Sequence, residues 1–168
     1  KHFIKERGLT AILVTHDQTE ANALADRIAV MEGGVLQQFA APSELKDRPA
    51  NLFTGTFIGE PPMNVFDAEA AEEDGAIRMR LAGDVALSWP SAAFDPAARD
   101  AILSRGRVAI GVRPHAVRLD PQGAPAQLTA NQWLGDQTHL AAAFAGGAVV
   151  TVEHERNHGA VGDTIRIA

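Results

Sequence analysis

Two consecutive prolines, Pro61-Pro62, separate two stretches of different texture. Neither residue offers a backbone N–H and both have a fixed φ, so no helix interior or central strand continues through the pair. Before them, short apolar runs alternate with helical spacing; after them come short extended runs broken by turn residues. In a chain of 168 residues this spacing predicts two small parts, 1–60 and 61–168. Hydrophobic residues at 46% and charged residues at 21% lie far from the composition of disordered chains.

In the first part, Leu9-Thr10-Ala11-Ile12-Leu13-Val14 is a short apolar run bounded by Gly8, which predicts a strand buried on both faces. Thr15 with Gln18, or Asp17 with Glu20, matches a helix-start signature. Ala21, Leu24, Ala25 and Ile28 then share one helical face. Arg27 to Met31 and Val35 to Phe39, joined through Glu32-Gly33-Gly34, predict a hairpin. Pro42 suits the first turn of a helix through Asp47, and Pro49 precedes a second helical piece from Asn51 to Ile58, ended by Gly59.

The second part reads as mostly β, with runs at 64–68, 77–81, 85–87, 108–112, 126–134, 138–144, 149–152 and 164–167. One helix, Pro96 to Leu103 capped by Asp95, interrupts them. So many short strands in about a hundred residues predict a small barrel or sandwich, the OB-fold being one such architecture. The expected fold is mixed: a short α/β segment followed by a mostly β, OB-like barrel.

A formal charge of -6 supplies no general attraction for nucleic acid or for an anionic membrane surface. The lack of cysteine rules out disulfides, thiolate zinc sites and a thiol nucleophile, and fits a reducing, cytoplasmic setting. No apolar run reaches the roughly eighteen residues of a membrane span, and Lys1 to Glu6 lacks the apolar segment of a signal peptide. The expectation is a chain that neither spans a membrane nor carries an export label.

The segment Leu13-Val14-Thr15-His16-Asp17-Gln18-Thr19-Glu20-Ala21 resembles the switch-histidine loop of ABC transporter ATP-binding subunits. The resemblance continues through Asp26 to Met31 with Gly33-Gly34, Ala41 to Leu45 with Arg48-Pro49, and Phe57-Ile58-Gly59 with Met63-Asn64. These follow the end of the nucleotide-binding domain in importers of the maltose and glycerol-3-phosphate type. Later, Gly111-Val112-Arg113-Pro114 with Val117-Arg118-Leu119, Leu134-Gly135-Asp136 and Val161-Gly162-Asp163 resemble the OB-like regulatory (TOBE) domain of that subgroup. His115 stands where the family usually has an acidic residue.

What the resemblance implies is concrete. His16, at a strand-to-helix junction, would contact the γ-phosphate of ATP and help position the attacking water, a donor aimed at charge. The phosphate loop, the magnesium-binding acidic strand and the signature motif would lie before Lys1, since Lys1, Lys5 and Lys46 are the only lysines and none follows a glycine. ATP and Mg2+ are therefore expected for the intact subunit, and neither tight ATP binding nor hydrolysis for these residues alone. Implied partners are a second copy of the subunit, membrane-spanning permease subunits that hold it at the inner face of the cell membrane, and a regulatory protein on residues 61–168.

Other motifs compete for attention. His154-Glu155-Arg156-Asn157-His158 is a literal zinc-protease pattern, yet a strand leads in, Gly159 follows at once and only Asp163 remains as a third ligand, so a loop is expected. Trp89 and Trp133 are expected as core or interface anchors rather than base-stacking platforms, and no nucleic-acid role is favoured. Arg78, Arg80, Arg105, Arg107, Arg113 and Arg118 could form an anion patch or simply be solvated. A second reading makes the chain a free-standing OB-like module for a small anion or a partner protein. The absence of charge or proline along Leu9 to Val14 argues for truncation instead, with dimerisation or strand swapping of the isolated piece as the expected outcome.

Overall fold

The structure, a computed structural model, describes residues 2–168. It divides into two compact units, 1–63 and 64–168. In the first, α1 (His2–Glu6) and α2 (Gln18–Leu24) flank an irregular segment, and β1 (Ile28–Glu32) pairs antiparallel with β2 (Val35–Ala40). Gly33 and Gly34, at φ 55 and 81, make the two-residue connection that a side chain would disfavour. Two short helices, α3 (Pro42–Asp47) and α4 (Leu52–Phe57), complete the unit. Pro42 opens α3, and the Asn51 Oδ1 accepts a 2.9 Å hydrogen bond from the Thr54 N–H to cap α4. Val30, Ala40, Leu45 and Ile58 form a small core, with Ile28 and Phe53 packed against it.

Two expectations for this unit require correction. Residues 9–14 are not a buried strand: the segment has no regular structure and pairs with no strand, and Ile12 and Val14 are 92% and 93% exposed. An apolar β-branched run specifies burial only when neighbouring strands supply hydrogen bonds on each side, and no described residue does so. The helix after His16 also stops early. Ala25 is its C-cap, and Ile28 belongs to β1. None of the α2 residues is buried, so nothing rewards extension of a helix too short to be stable by itself.

The second unit is mostly β. β3 (Asn64–Glu73), β4 (Ala76–Arg80), β5 (Ala86–Pro90) and β6 (Arg107–Val112) form an antiparallel sheet in the order β5-β4-β3-β6. β7 (Leu119–Trp133), β8 (Thr138–Phe144), β9 (Gly147–Glu153) and β10 (Thr164–Ile167) form another in the order β10-β7-β8-β9. One core lies within the unit, with Phe66, Ala68, Ile77 and Met79 from the first sheet meeting Ala126, Ala142, Val149 and Ile167 from the second. This is the OB-like, barrel-like β module expected from the sequence.

Asn64 ties the two sheets together. Its side-chain amide donates to the Val150 carbonyl at 2.8 Å and accepts from the Val150 N–H at 2.7 Å, replacing the backbone partner that β9 lacks there. α5 (Pro96–Arg105) separates β5 from β6. Asp95 caps its start through the Ala97 and Ala98 N–H groups, and Gly106, at φ 66, ends it. Trp89 and Trp133, expected as core or interface anchors, are 38% and 39% exposed, so neither is a core residue. Trp89 stands opposite buried Ile77 and Trp133 opposite buried Thr138, so each lies on the buried side of its sheet but near the end of its strand. No helix among the described residues is long and apolar enough to cross a membrane.

Candidate functional site

His16 lies in the turn immediately before α2, and its side chain is exposed. The turn is held from both sides of it. The Thr15 hydroxyl accepts from the Asp17 N–H at 3.0 Å, and the Asp17 carboxylate accepts from the Glu20 N–H at 2.9 Å. Of the two helix-start pairings legible in the sequence, Asp17 with Glu20 is therefore the one that forms. The imidazole stands on a backbone fixed by short-range polar contacts and makes no hydrogen bond or ion pair with other described residues.

Gln18 supplies a longer-range anchor that sequence reasoning missed. Its Nε2 donates to the Phe57 carbonyl at 2.6 Å, and its Oε1 accepts from the Gly59 N–H at 2.9 Å. One amide thus clamps the first turn of α2 to the chain leaving α4. Gly59 adopts φ 119, a region that L side chains rarely enter, which lets the backbone present that N–H. Some forty residues separate the partners, so no local periodicity signals the bond. The only cue is that a Gln follows His16-Asp17 while a Gly ends the later helix.

The remaining sequence candidates separate clearly. His154 and His158 sit in an irregular exposed loop after β9, so they do not share the helical turn that a His-Glu-x-x-His zinc site needs. The Thr138 hydroxyl instead donates to the Glu155 carbonyl at 2.7 Å, and the Asn131 amide donates to the Asn157 and Gly159 carbonyls, pinning that loop to the sheet. Among the described residues no three His, Asp or Glu side chains gather as metal ligands. Arg78, Arg80, Arg105 and Arg107 line one cleft, whereas Arg113 and Arg118 lie elsewhere. His115 is exposed in the turn between β6 and β7. On the edge of α5, Glu72 accepts from the Ser91 hydroxyl at 2.6 Å and from Arg99 at 3.1 Å; the hydroxyl first, then the guanidinium, holds its carboxyl below the ordinary value.

Comparison with known proteins defines the class. Residues 110–168 match the TOBE domain family, which covers β7 to β10 and the end of β6. The chain as a whole is 38% identical over 144 residues to an sn-glycerol-3-phosphate import ATP-binding protein, UgpC, of Chromobacterium violaceum, an alignment covering 84% of this chain and 36% of that protein. It is 49% identical over 88 residues to a trehalose/maltose import ATP-binding protein, MalK, of Thermococcus litoralis, covering 50% of this chain and 24% of that protein. A spermidine/putrescine import ATP-binding protein, PotA 1, of Pseudomonas aeruginosa is 35% identical over 150 residues, covering 86% of this chain and 38% of that protein. The chain is thus similar to the C-terminal part of the ATP-binding subunits of ABC importers, TOBE domain included. The alignments span between about a quarter and little more than a third of the length of these relatives.

Proposed function

We propose that these residues are the C-terminal portion of the ATP-hydrolysing subunit that energises an ABC importer, mainly its regulatory domain. The observation that supports this best is the reach of the similarity: alignments of 144 and 150 residues are longer than either structural unit, so the relationship enters both. On this reading residues 1–60 are the end of the nucleotide-binding domain from the switch-histidine loop onward, and 61–168 are the OB-like TOBE regulatory domain. His16 is the residue that meets the γ-phosphate of ATP. Its exposed imidazole, without a partner among the described residues, on an anchored turn suits a donor that waits for a ligand.

ATP and Mg2+ belong to the intact subunit, whose phosphate-cradling and acidic residues lie outside these 168. His16 would orient the attacking water and stabilise developing charge, while Thr15, Asp17 and Gln18 hold its turn in place. The partners are a second copy of the subunit, across which ATP is sandwiched, and permease subunits that keep this cytoplasmic protein at the inner membrane face. A protein docking on 61–168 would regulate it. The imported solute is of the sugar or sugar-phosphate type, as the names of two of the relatives suggest.

The test is kinetic. In the full-length subunit, His16→Ala lowers the ATP turnover rate by about a hundredfold, the loss typical of one transition-state donor, with ATP still bound. Turnover within twofold of the parent would refute the role of His16. Magnesium-dependent turnover by residues 1–168 alone would refute the division of labour.

A further inference from the structure

Four arginines on an acidic chain meet on the outer face of the first β sheet. Glu69 of β3 stands opposite Arg80 of β4 on one side and Arg107 of β6 on the other, and Ala71 stands opposite Arg78. Arg105, the last residue of α5, reaches the same place because the chain turns at Gly106. Together they line a shallow cleft of about 390 Å³, with Glu69 and Glu73 as its only acidic groups and the small Ala71 side chain on the same face leaving it open.

The charges do not cancel. Glu73 is shared between Arg78 at 2.7 Å and Arg80 at 4.0 Å, with these side chains about half exposed. Arg105 and Arg107 make no side-chain hydrogen bond or ion pair with any described residue. Glu69 directly opposite Arg80 and Arg107 is a favourable cross-strand placement, but exposed ion pairs contribute little to stability, and two glutamates do not balance four arginines. Fold stability alone therefore does not call for all four groups in one place. A doubly charged oxyanion does, because planar guanidinium forks match phosphate oxygens in pairs and lose less hydration than ammonium groups on binding.

We propose that this cleft binds the phosphate group of a small hydroxylated phosphomonoester. Arg105 and Arg107 make the principal contacts, and Arg80 completes them. The cleft is of the size that holds a small metabolite rather than one free ion. Glu69, between Arg80 and Arg107, accepts hydrogen bonds from the ligand's hydroxyl groups. The site lies wholly in the second unit and does not depend on the reading of His16. In an importer subunit it would be an effector site.

The experiment is an NMR titration of the full chain at constant ionic strength, following the arginine Nε–H signals. The probes are glucose 6-phosphate, inorganic phosphate, glucose and chloride. Glucose 6-phosphate is expected to shift the Arg105 and Arg107 signals saturably, with a midpoint near or below about 1 mM, leaving Arg156 in the distant loop unmoved. The double variant Arg105→Gln/Arg107→Gln weakens binding by about tenfold or more without lowering the unfolding temperature, since neither side chain has a structural partner. Glu73→Gln, which releases Arg78, tightens it. Shifts that do not saturate by about 10 mM, equal shifts with chloride, or binding unchanged in the double variant would overturn the site. Equal affinity for inorganic phosphate would overturn the ester and assign the free anion.

Discussion

Replacing Gln18 with Ala removes both arms of the clamp that joins the turn after His16 to the end of α4. The bonds lost are the 2.6 Å contact to the Phe57 carbonyl and the 2.9 Å contact from the Gly59 N–H. Neutral hydrogen bonds are worth about 0.5–1.5 kcal/mol each, so local stability falls by about 1–3 kcal/mol. Alanine is the better helix former, so α2 itself is not weakened by the change. Read by amide hydrogen exchange on the full chain, protection at Gly59 falls by about 5- to 150-fold, while Leu140 in the second unit keeps its rate. Gln18→Glu serves as the graded case: it retains an acceptor for the Gly59 N–H and sets a carboxylate oxygen against the Phe57 carbonyl, so protection is intermediate. Gly59 exchange within twofold of the parent in Gln18→Ala would refute the clamp. On the proposed function, the same variant in the intact subunit is expected to reduce ATP turnover through His16 placement while leaving ATP affinity unchanged.

Asn64→Ala leaves the Val150 N–H and carbonyl unpaired at a half-buried position, which costs about 1–3 kcal/mol and is measured as a lower denaturant midpoint; an unchanged midpoint would remove Asn64 as the tie between the sheets. The Glu72 contacts give a pH dependence of known sign. Its folded value lies below the ordinary 4.5, so the stabilisation is fully present above 4.5 and is lost as pH falls through the folded value. Ser91→Ala, which removes the larger cause, is expected to flatten the acid limb of a stability-against-pH curve, and an unaltered limb would contradict the assignment.

Much of this fold was legible because the informative signals are local. Gly33-Gly34 marks a two-residue hairpin, Asp17, Asn51 and Asp95 mark helix starts, and Pro42 and Pro96 occupy first-turn positions where their missing N–H is harmless. The length of β7 was not legible. The sequence reading begins this strand at Ala126, because Pro121, Gly123 and Pro125 interrupt the run. The structure carries it from Leu119 to Trp133. Pairing explains the difference: β8 contacts β7 only from Gln127 onward, so the earlier residues have β10 alone beside them. On such an open edge a proline costs no ladder bond. Gly123 is required there for space, since a Cβ would sit 2.3 Å from the Ile167 carbonyl oxygen. The arginine cleft was half legible: six candidates were visible, but strand register and the turn at Gly106 decide which four converge.

The two units are held by different kinds of force, and this bears on how the proposed function would be divided. The second has a core of ten buried hydrophobic residues, whereas the first has four. Side-chain amides do much of the work in the first. Gln38 donates to the Arg48 carbonyl and accepts from the Ala50 N–H, Gln37 accepts from Asn51, and Gln18 clamps Phe57 and Gly59. Meanwhile Leu9, Ile12, Leu13, Val14, Leu36 and Phe39 face solvent. An apolar set of this extent invites cover by other protein. On the proposed reading that cover is the remainder of the nucleotide-binding domain, which would convert residues 9–14 into the buried strand that their sequence specifies. His16 would then acquire its working position only on completion of that sheet, while the TOBE unit keeps its shape on its own core. That asymmetry suits a module whose regulatory surface stays formed while the catalytic turn depends on its surroundings.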